Sequence, residues 1–153
     1  GRRDDFRNSG RNRYYQTSDL GYWDTLGNLY FCGRQTDTIR TGGETVWASE
    51  VERILQGHVH IDQVAVVGIP HDRLGETVAC AIVLGPLTST TSAKPAAVMT
   101  LDTVREWCTT KGLARFKHPR QVMILSTLPR NSSGKVLKHL LKNGFSKKPH
   151  SRL

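Results

Sequence analysis

Cysteine is scarce in this chain, and the little there is excludes several classes of protein. Cys32, Cys80 and Cys108 lie far apart in 153 residues, with an odd count and no Cys-x-x-Cys spacing. That pattern argues against a closed disulfide framework and a cysteine-based zinc site, and it fits a reducing compartment. Two of the three sit in apolar surroundings, where a free thiol behaves as a small hydrophobe. Long apolar runs are missing too: none approaches the roughly 18 residues that span a bilayer, so no membrane span is expected. The start, Gly1-Arg2-Arg3-Asp4-Asp5, is charged rather than apolar, which argues against a signal peptide. It has no initiator Met and reads as cut from something longer. With 37% hydrophobic residues and a mean hydropathy of −0.42, the expectation is a small core with polar tails.

Acidic residues are also short, 13 against 22 basic, for a formal net charge of +9. The basic residues concentrate at the ends, in Arg2, Arg3, Arg7, Arg11 and Arg13 and again from Lys135 to Arg152. Neither run interleaves aromatics as a base-stacking surface does. They read as solvated tails, or as a surface attracting an anionic small molecule, and no nucleic-acid partner is expected. The rival reading from another class is a non-catalytic basic nucleic-acid-binding module, which strongly salt-dependent binding would reveal.

The hydrophobic pattern predicts a small α+β domain. Residues 1 to about 13 read as a flexible loop or linker. A short hairpin is expected between Leu26 and Arg40, with Leu29-Tyr30-Phe31 and Thr38-Ile39-Arg40 as its arms and Gly42-Gly43 breaking the strand. Val51, Ile54 and Leu55 make one apolar stripe on a helix over Ala48 to Gln56, which Gly57 is placed to end. Gln63 to Ile69 is a nearly continuous β-branched run stopped by Pro70, the mark of a strand buried on both faces. After a turn at His71 to Gly75, Thr77 to Leu84 is a second such strand, and residues 85 to 99 read as a surface loop. Thr100 can cap a helix from Leu101 to about Thr110, Gln121 to Leu125 is a third core strand, and Val136 to Leu141 a terminal helix. Helices on a small mixed sheet, with an N-terminal hairpin, follow from this order, not a doubly wound nucleotide fold.

Three stretches stand out chemically. In Thr17-Ser18-Asp19-Leu20-Gly21, Asp19 could accept two hydrogen bonds from a vicinal diol, or simply make an Asx turn. In Gly33-Arg34-Gln35-Thr36-Asp37, Arg34 offers a planar fork for phosphate or for a carboxylate such as Asp37, and the tandem Gly42-Gly43 permits a sharp bend or a close ligand approach. The third, Leu128-Pro129-Arg130-Asn131-Ser132-Ser133-Gly134-Lys135, is not a Walker A loop: Pro129 stands where Gly is required and Val136 where Ser or Thr is. It is a small-residue loop presenting one lysine.

Taken together and in order, these stretches resemble the adenylate-forming superfamily of acyl-CoA synthetases, adenylation domains and luciferases. Thr17 to Gly21 is similar to its TGDLG element, with Ser18 in place of glycine. Gly33-Arg34-Gln35-Thr36-Asp37-Thr38-Ile39, then Gly42-Gly43-Glu44 and Glu50-Val51-Glu52, resembles GRxxDxI…GGE…EVE; Leu128-Pro129-Arg130 with Ser133-Gly134-Lys135-Val136 resembles LPRxxSGKV; and His71 to Glu76 resembles PDxxxGE. The resemblance runs from about residue 14 to 143. It implies the carboxy-terminal lid domain of a carboxylate–CoA ligase that works through an acyl-AMP. On that likeness residues 1–33 are linker and the end of a large amino-terminal adenylation domain, 34–143 the lid, and 144–153 a basic tail. The cofactors implied are ATP, with Mg2+ held by the large domain, and coenzyme A. Asp19 would hold the ribose hydroxyls, Arg34 would support the same nucleotide, and Lys135 would act in adenylation. Gly42 and Gly43 would face the pantetheine arm after a swing about Thr36, where the family usually has Asp or Lys. No metal ligand in this chain is implied, and the fragment alone is expected to be inactive.

A luciferase-like member of the superfamily is the alternative within the class. An aromatic acid of the succinylbenzoate or 4-coumarate type is the substrate lead. Ser151-Arg152-Leu153 reads as a variant of the peroxisomal Ser-Lys-Leu address, implying a peroxisomal import receptor as partner. An end so soon after the last predicted helix, with no carrier domain, favours a free-standing ligase.

Overall fold

The computed structural model describes the backbone of residues 6–9 and 12–15 and the whole of 17–85 and 99–146. In chain order the elements are β1 (Phe6–Ser9), β2 (Asn12–Tyr15), β3 (Asp19–Trp23), β4 (Leu29–Arg34), a 3-10 turn (Gln35–Asp37), β5 (Thr38–Thr41), β6 (Glu44–Trp47), α1 (Ala48–Gln56), β7 (Ile61–His71), β8 (Gly75–Leu84), α2 (Leu101–Thr110), a 3-10 turn (Arg115–Lys117), β9 (Gln121–Leu125) and α3 (Lys138–Ser146). The chain divides into two compact units between Thr36 and Asp37.

The first unit holds two antiparallel ribbons, β1 on β2 and β3 on β4. The turn between β3 and β4 is built by Asp24, whose carboxylate accepts from the backbone N–H of Leu26 and Asn28 and from the Asn28 amide. Those hydrogen bonds, the Asn28 amide foremost, hold its pKa below the usual carboxylate value.

The second unit is built on the β7–β8 hairpin, which pairs antiparallel over nearly its whole length. The sheet order is β6-β5-β8-β7, with β9 joining β8 in parallel, so the sheet is mixed as expected. Period-2 alternation sends the two faces of β7 and β8 into different cores. Val66, Val78, Cys80 and Ile82 face Val51 and Leu55 of α1 and Val104 and Cys108 of α2. Ala65, Val67, Ile69, Ala79, Ala81 and Val83 face Met123, Leu128, and Leu141 and Phe145 of α3. Fully burying a side chain such as Leu55 stabilises by about 1.5–3 kcal/mol, which is what holds each helix to its face. Helix α2 is capped at Thr100, which exchanges hydrogen bonds with Thr103, and the Trp107 indole N–H donates to the Ile54 carbonyl, 2.8 Å, at the end of α1. His58 stacks edge-on against Trp107, and burial, then the neighbouring His60, lower its pKa.

Several expectations are corrected. Within the stretch read as loop up to about residue 13, Phe6–Ser9 forms β1 and Asn12 begins β2, and their sequence gives no hydrophobic period to read. The arms expected as one hairpin belong to different sheets, because β4 pairs with β3 and β5 pairs with β6 and β8. Pro70 does not stop its strand. Among the described residues β7 is an edge strand, so the missing N–H breaks no ladder, and β7 runs on to His71. Gly57 does end α1, in the right-handed conformation. The last helix starts at Lys138, not Val136, because Val136 bridges to Arg130 and the Leu137 N–H donates to the Pro129 carbonyl. The loop read over 85 to 99 lies outside the described residues save for its ends, as does Ser151-Arg152-Leu153.

Cys80 and Cys108 are buried, and burial pushes the Cys80 thiol up beyond the usual range and that of Cys108 up to about 11. Cys32 is only half-buried. A thiol titration of the native chain should therefore show one fast-reacting cysteine, the other two appearing only in denaturant. Three equally fast thiols would contradict the described core.

Candidate active-site loops

The first candidate group is in the first unit. Asp19 opens β3 and Arg34 closes β4, directly opposite in register. The Arg34 Nε stands 3.5 Å from Asp19 Oδ1, with both side chains substantially exposed. Asp19 therefore makes a cross-strand ion pair rather than the Asx turn considered above; it is Thr17 whose hydroxyl takes the Asp19 N–H. In solvent such a pair contributes little stability. It does set a carboxylate and a guanidinium side by side. Ser18 sits at φ +63°, the left-handed region where a non-glycine residue costs about 1–2 kcal/mol. Its carbonyl accepts from the Gln35 N–H, closing the open end of the ribbon. That conformation explains on physical grounds why the likeness has glycine there. Thr36 lies within the 3-10 turn at the division between the units.

The second group is the β5–β6 turn. Thr41 pairs with Glu44, so Gly42 and Gly43 are a two-residue hairpin loop, with φ +59° and +88°. These are the signs that a type I′ turn demands and that glycine meets without strain. The Gly42 N–H donates to the Leu74 carbonyl, tying this turn to the β7–β8 turn. A Cβ at Gly42 would press on Leu74 at 3.2 Å, whereas one at Gly43 would meet nothing within 4 Å. The tip of the turn is bare backbone.

The third group is the lysine loop between β9 and α3. Asn131 organises it: one side-chain oxygen accepts from the Ser133 N–H (3.1 Å), the Ser133 hydroxyl (2.8 Å) and the Lys135 N–H (2.8 Å). Arg130 donates to the Gly134 carbonyl at 2.6 Å and to Gln63 of β7 at 3.0 Å, anchoring the loop to the sheet. The backbone of Lys135 is thus fixed, while its side chain is exposed and makes no ion pair among the described residues. Lys135 and the Gly42-Gly43 turn are not brought together. One is anchored at Gln63, near the start of β7, and the other at Leu74, just past its end at His71. With a rise of about 3.3 Å per residue, Gln63 and His71 stand roughly 26 Å apart along the strand.

Residues 50–135 match the AMP-binding enzyme C-terminal domain family. The chain belongs to that family. Among its curated relatives, 4-chlorobenzoate–CoA ligase of Arthrobacter sp is 38% identical over 130 residues, 84% of this chain and 23% of that protein. Oxalate–CoA ligase of Arabidopsis thaliana is 34% identical over 136 residues, 89% of this chain and 24% of the relative. Among solved structures, O-succinylbenzoate coenzyme A synthetase of Bacillus subtilis in complex with AMP has a TM-score of 0.70 at 31% identity, covering 88% of this chain and 25% of that one. ATP-bound MatB of Rhodopseudomonas palustris gives 0.71 at 29%, covering 94% and 26%. This chain spans about a quarter of the length of these proteins.

In this member of the AMP-binding C-terminal family, several residues quoted in the motifs turn out to be builders whose role sequence reasoning missed. Glu52 of the EVE element accepts from the backbone N–H of Val66 (2.8 Å) and pairs with Lys138 (2.9 Å). Glu50 of the same element pairs with Lys117. Glu76 of the GE element lies over Gly68, accepts from the Arg40 backbone N–H at 3.0 Å, and stands 3.8 Å from Lys142. The sequence signal for these residues was their place in the quoted motifs; their partners lie 14 or more positions away. Among the described residues no group of three or more His, Cys, Asp or Glu is placed to hold a metal ion.

Asn131→Ala removes the acceptor that three donors share. It should cost about 1–2 kcal/mol in urea unfolding and speed amide hydrogen exchange at Ser133 and Lys135. Unchanged exchange there would show that the loop backbone does not depend on that side chain.

Proposed function

We propose that this chain is the mobile carboxy-terminal domain of an ATP-dependent carboxylate–CoA ligase, working with a large adenylation domain and passing through an acyl-AMP. The observation that carries the reading is the placement of two reactive-looking loops at opposite ends of one rigid hairpin. A single orientation of the second unit could present only one of them to a given site. Two orientations, reached by torsion about Thr36, would present each in turn, which is conformational gating between half-reactions.

In the first orientation Lys135 would meet the acyl carboxylate and the α-phosphate of ATP. An exposed ammonium on a fixed backbone suits that task, because it stabilises negative charge as the anhydride forms without reorganising at that moment. Asp19 has acceptor capacity left beyond its contact with Arg34, which fits a ribose diol, and Arg34 beside it suits the same nucleotide. Mg2+ would be held by the large domain. In the second orientation the bare tip at Gly42 and Gly43 would let the pantetheine arm of coenzyme A pass. The exposed apolar face of the β3–β4 ribbon supports the need for a large partner domain: Trp23, Leu26, Leu29 and Phe31 are all more than 60% exposed, more than so small a ribbon keeps without cover. The relatives differ in the acid they name, so acyl choice is read as a property of the partner domain; an aromatic acid is the lead, in line with the 4-chlorobenzoate and 2-succinylbenzoate ligases among them.

The test is thioester formation by this chain joined to a large adenylation domain, with ATP, coenzyme A and a panel of carboxylic acids. Lys135→Ala should lower adenylation by about 100-fold or more and leave conversion of preformed acyl-AMP largely intact. Gly43→Ala should do the reverse, at a stability cost of only about 1–2 kcal/mol, since its Cβ meets nothing in its own domain. Intact adenylation in Lys135→Ala would sink the proposal.

A further inference from the structure

We infer that Lys138 is a positioning residue that makes the hinge and the lysine loop move as one body, an inference resting on the two-orientation reading above. Its ammonium bridges two carboxylates from separate elements: Asp37 Oδ2 at 3.3 Å and Glu52 Oε1 at 2.9 Å. Asp37 is the first residue of the second unit, immediately after Thr36. Glu52 is on α1, and the same oxygen takes the Val66 N–H of β7. Lys138 is therefore fastened at once to the entry of the unit, to a helix and to the long strand.

The other end of the linkage is the lysine loop. Lys138 is the first residue of α3 and follows Lys135 by three residues. Between them nothing is slack, since Val136 bridges to Arg130 and the Leu137 N–H donates to the Pro129 carbonyl. One turn further along α3, Lys142 lies 3.8 Å from Glu76, whose other oxygen holds the Arg40 N–H of β5. Two lysines on one face of α3 thus grip the segment that follows the division, near Asp37 and near Arg40. Torsion on the carboxy-terminal side of Asp37 would have to break the Lys138 contacts; torsion at Thr36 breaks none of them. Lys138 confines the pivot to Thr36 and passes the rotation to Lys135 without loss. The side chains of the trio are between about a quarter and two-fifths exposed, so their worth is geometric rather than a large contribution to folding. Without the lysine, Glu52 retains the Val66 N–H, so a neutral variant should fold.

The measurement separates the half-reactions in the ligase formed by this chain and a large adenylation domain: acid-dependent pyrophosphate release, and thioester formation from preformed acyl-AMP. Lys138→Met should lower kcat in both by about tenfold, as expected for small misplacement of reacting groups, with KM for ATP and coenzyme A within about twofold. Lys138→Arg, which keeps the charge and the reach, should recover most of the loss. Asp37→Asn should behave like Lys138→Met, and the double variant should be no worse than either alone. Wild-type kcat in both steps for Lys138→Met, a loss confined to KM, or additive losses in the double variant would overturn the inference. Lys135→Ala run alongside keeps the outcomes distinct: if it spares adenylation, the underlying functional reading has failed; if it abolishes adenylation while Lys138→Met is silent, only the positioning role has.

Discussion

The second unit depends on one constraint, the burial of both faces of the β7–β8 hairpin. A strand pair buried on one side needs one covering layer; this pair needs two, and every later element is recruited to supply them. Helices α1 and α2 close one face over Val66, Cys80 and Ile82, and α3 closes the other over Val67, Ala79 and Ala81. Because α3 must lie on its face, the chain has to leave β9, cross to that side and enter the helix at a fixed place. The crossing is the lysine loop. The position of Lys135 is thus a by-product of where the second core has to be closed.

Polar contacts then do what apolar packing cannot, which is to fix irregular backbone. Asn131 gathers three donors in the lysine loop, Glu76 takes an N–H of β5 outside the short β5–β8 pairing, and Glu52 takes one from the open side of β7. Each of these carboxylates and amides serves a backbone group that would otherwise be left to solvent. The lysines that meet them add little stability at such exposure, but they determine which elements move together.

Much of this was legible in the residues. The extents of α1, α2 and β9 agree with the apolar period and the caps, because Thr100 and the stripe of Val51, Ile54 and Leu55 act within one turn of chain. Failures came where distant pairing decides. Nothing local in Leu29-Tyr30-Phe31 says that its partner lies earlier in the chain, and nothing in Phe6 to Tyr15 gives a hydrophobic period. Pro70 looked like a stop because sequence does not tell an edge strand from a central one. The motif residues were readable as a set, yet the work of Glu52, Glu76 and Lys138 was not, since each acts on a group 14 or more positions away.

Among the described residues β7 lies at the edge of the sheet, and that position has a further consequence. A long, apolar, β-branched strand with one unpaired side is the usual template on which a second molecule adds a strand, the first step towards aggregation. Here that side is blunted twice. Glu52 occupies the Val66 N–H with an ionised oxygen, and Pro70 offers no N–H at all. An incoming strand would find its run of partners interrupted, and would have to approach a carboxylate to use what remains. The same glutamate that helps hold Lys138 thus also guards the open edge of the sheet against self-association.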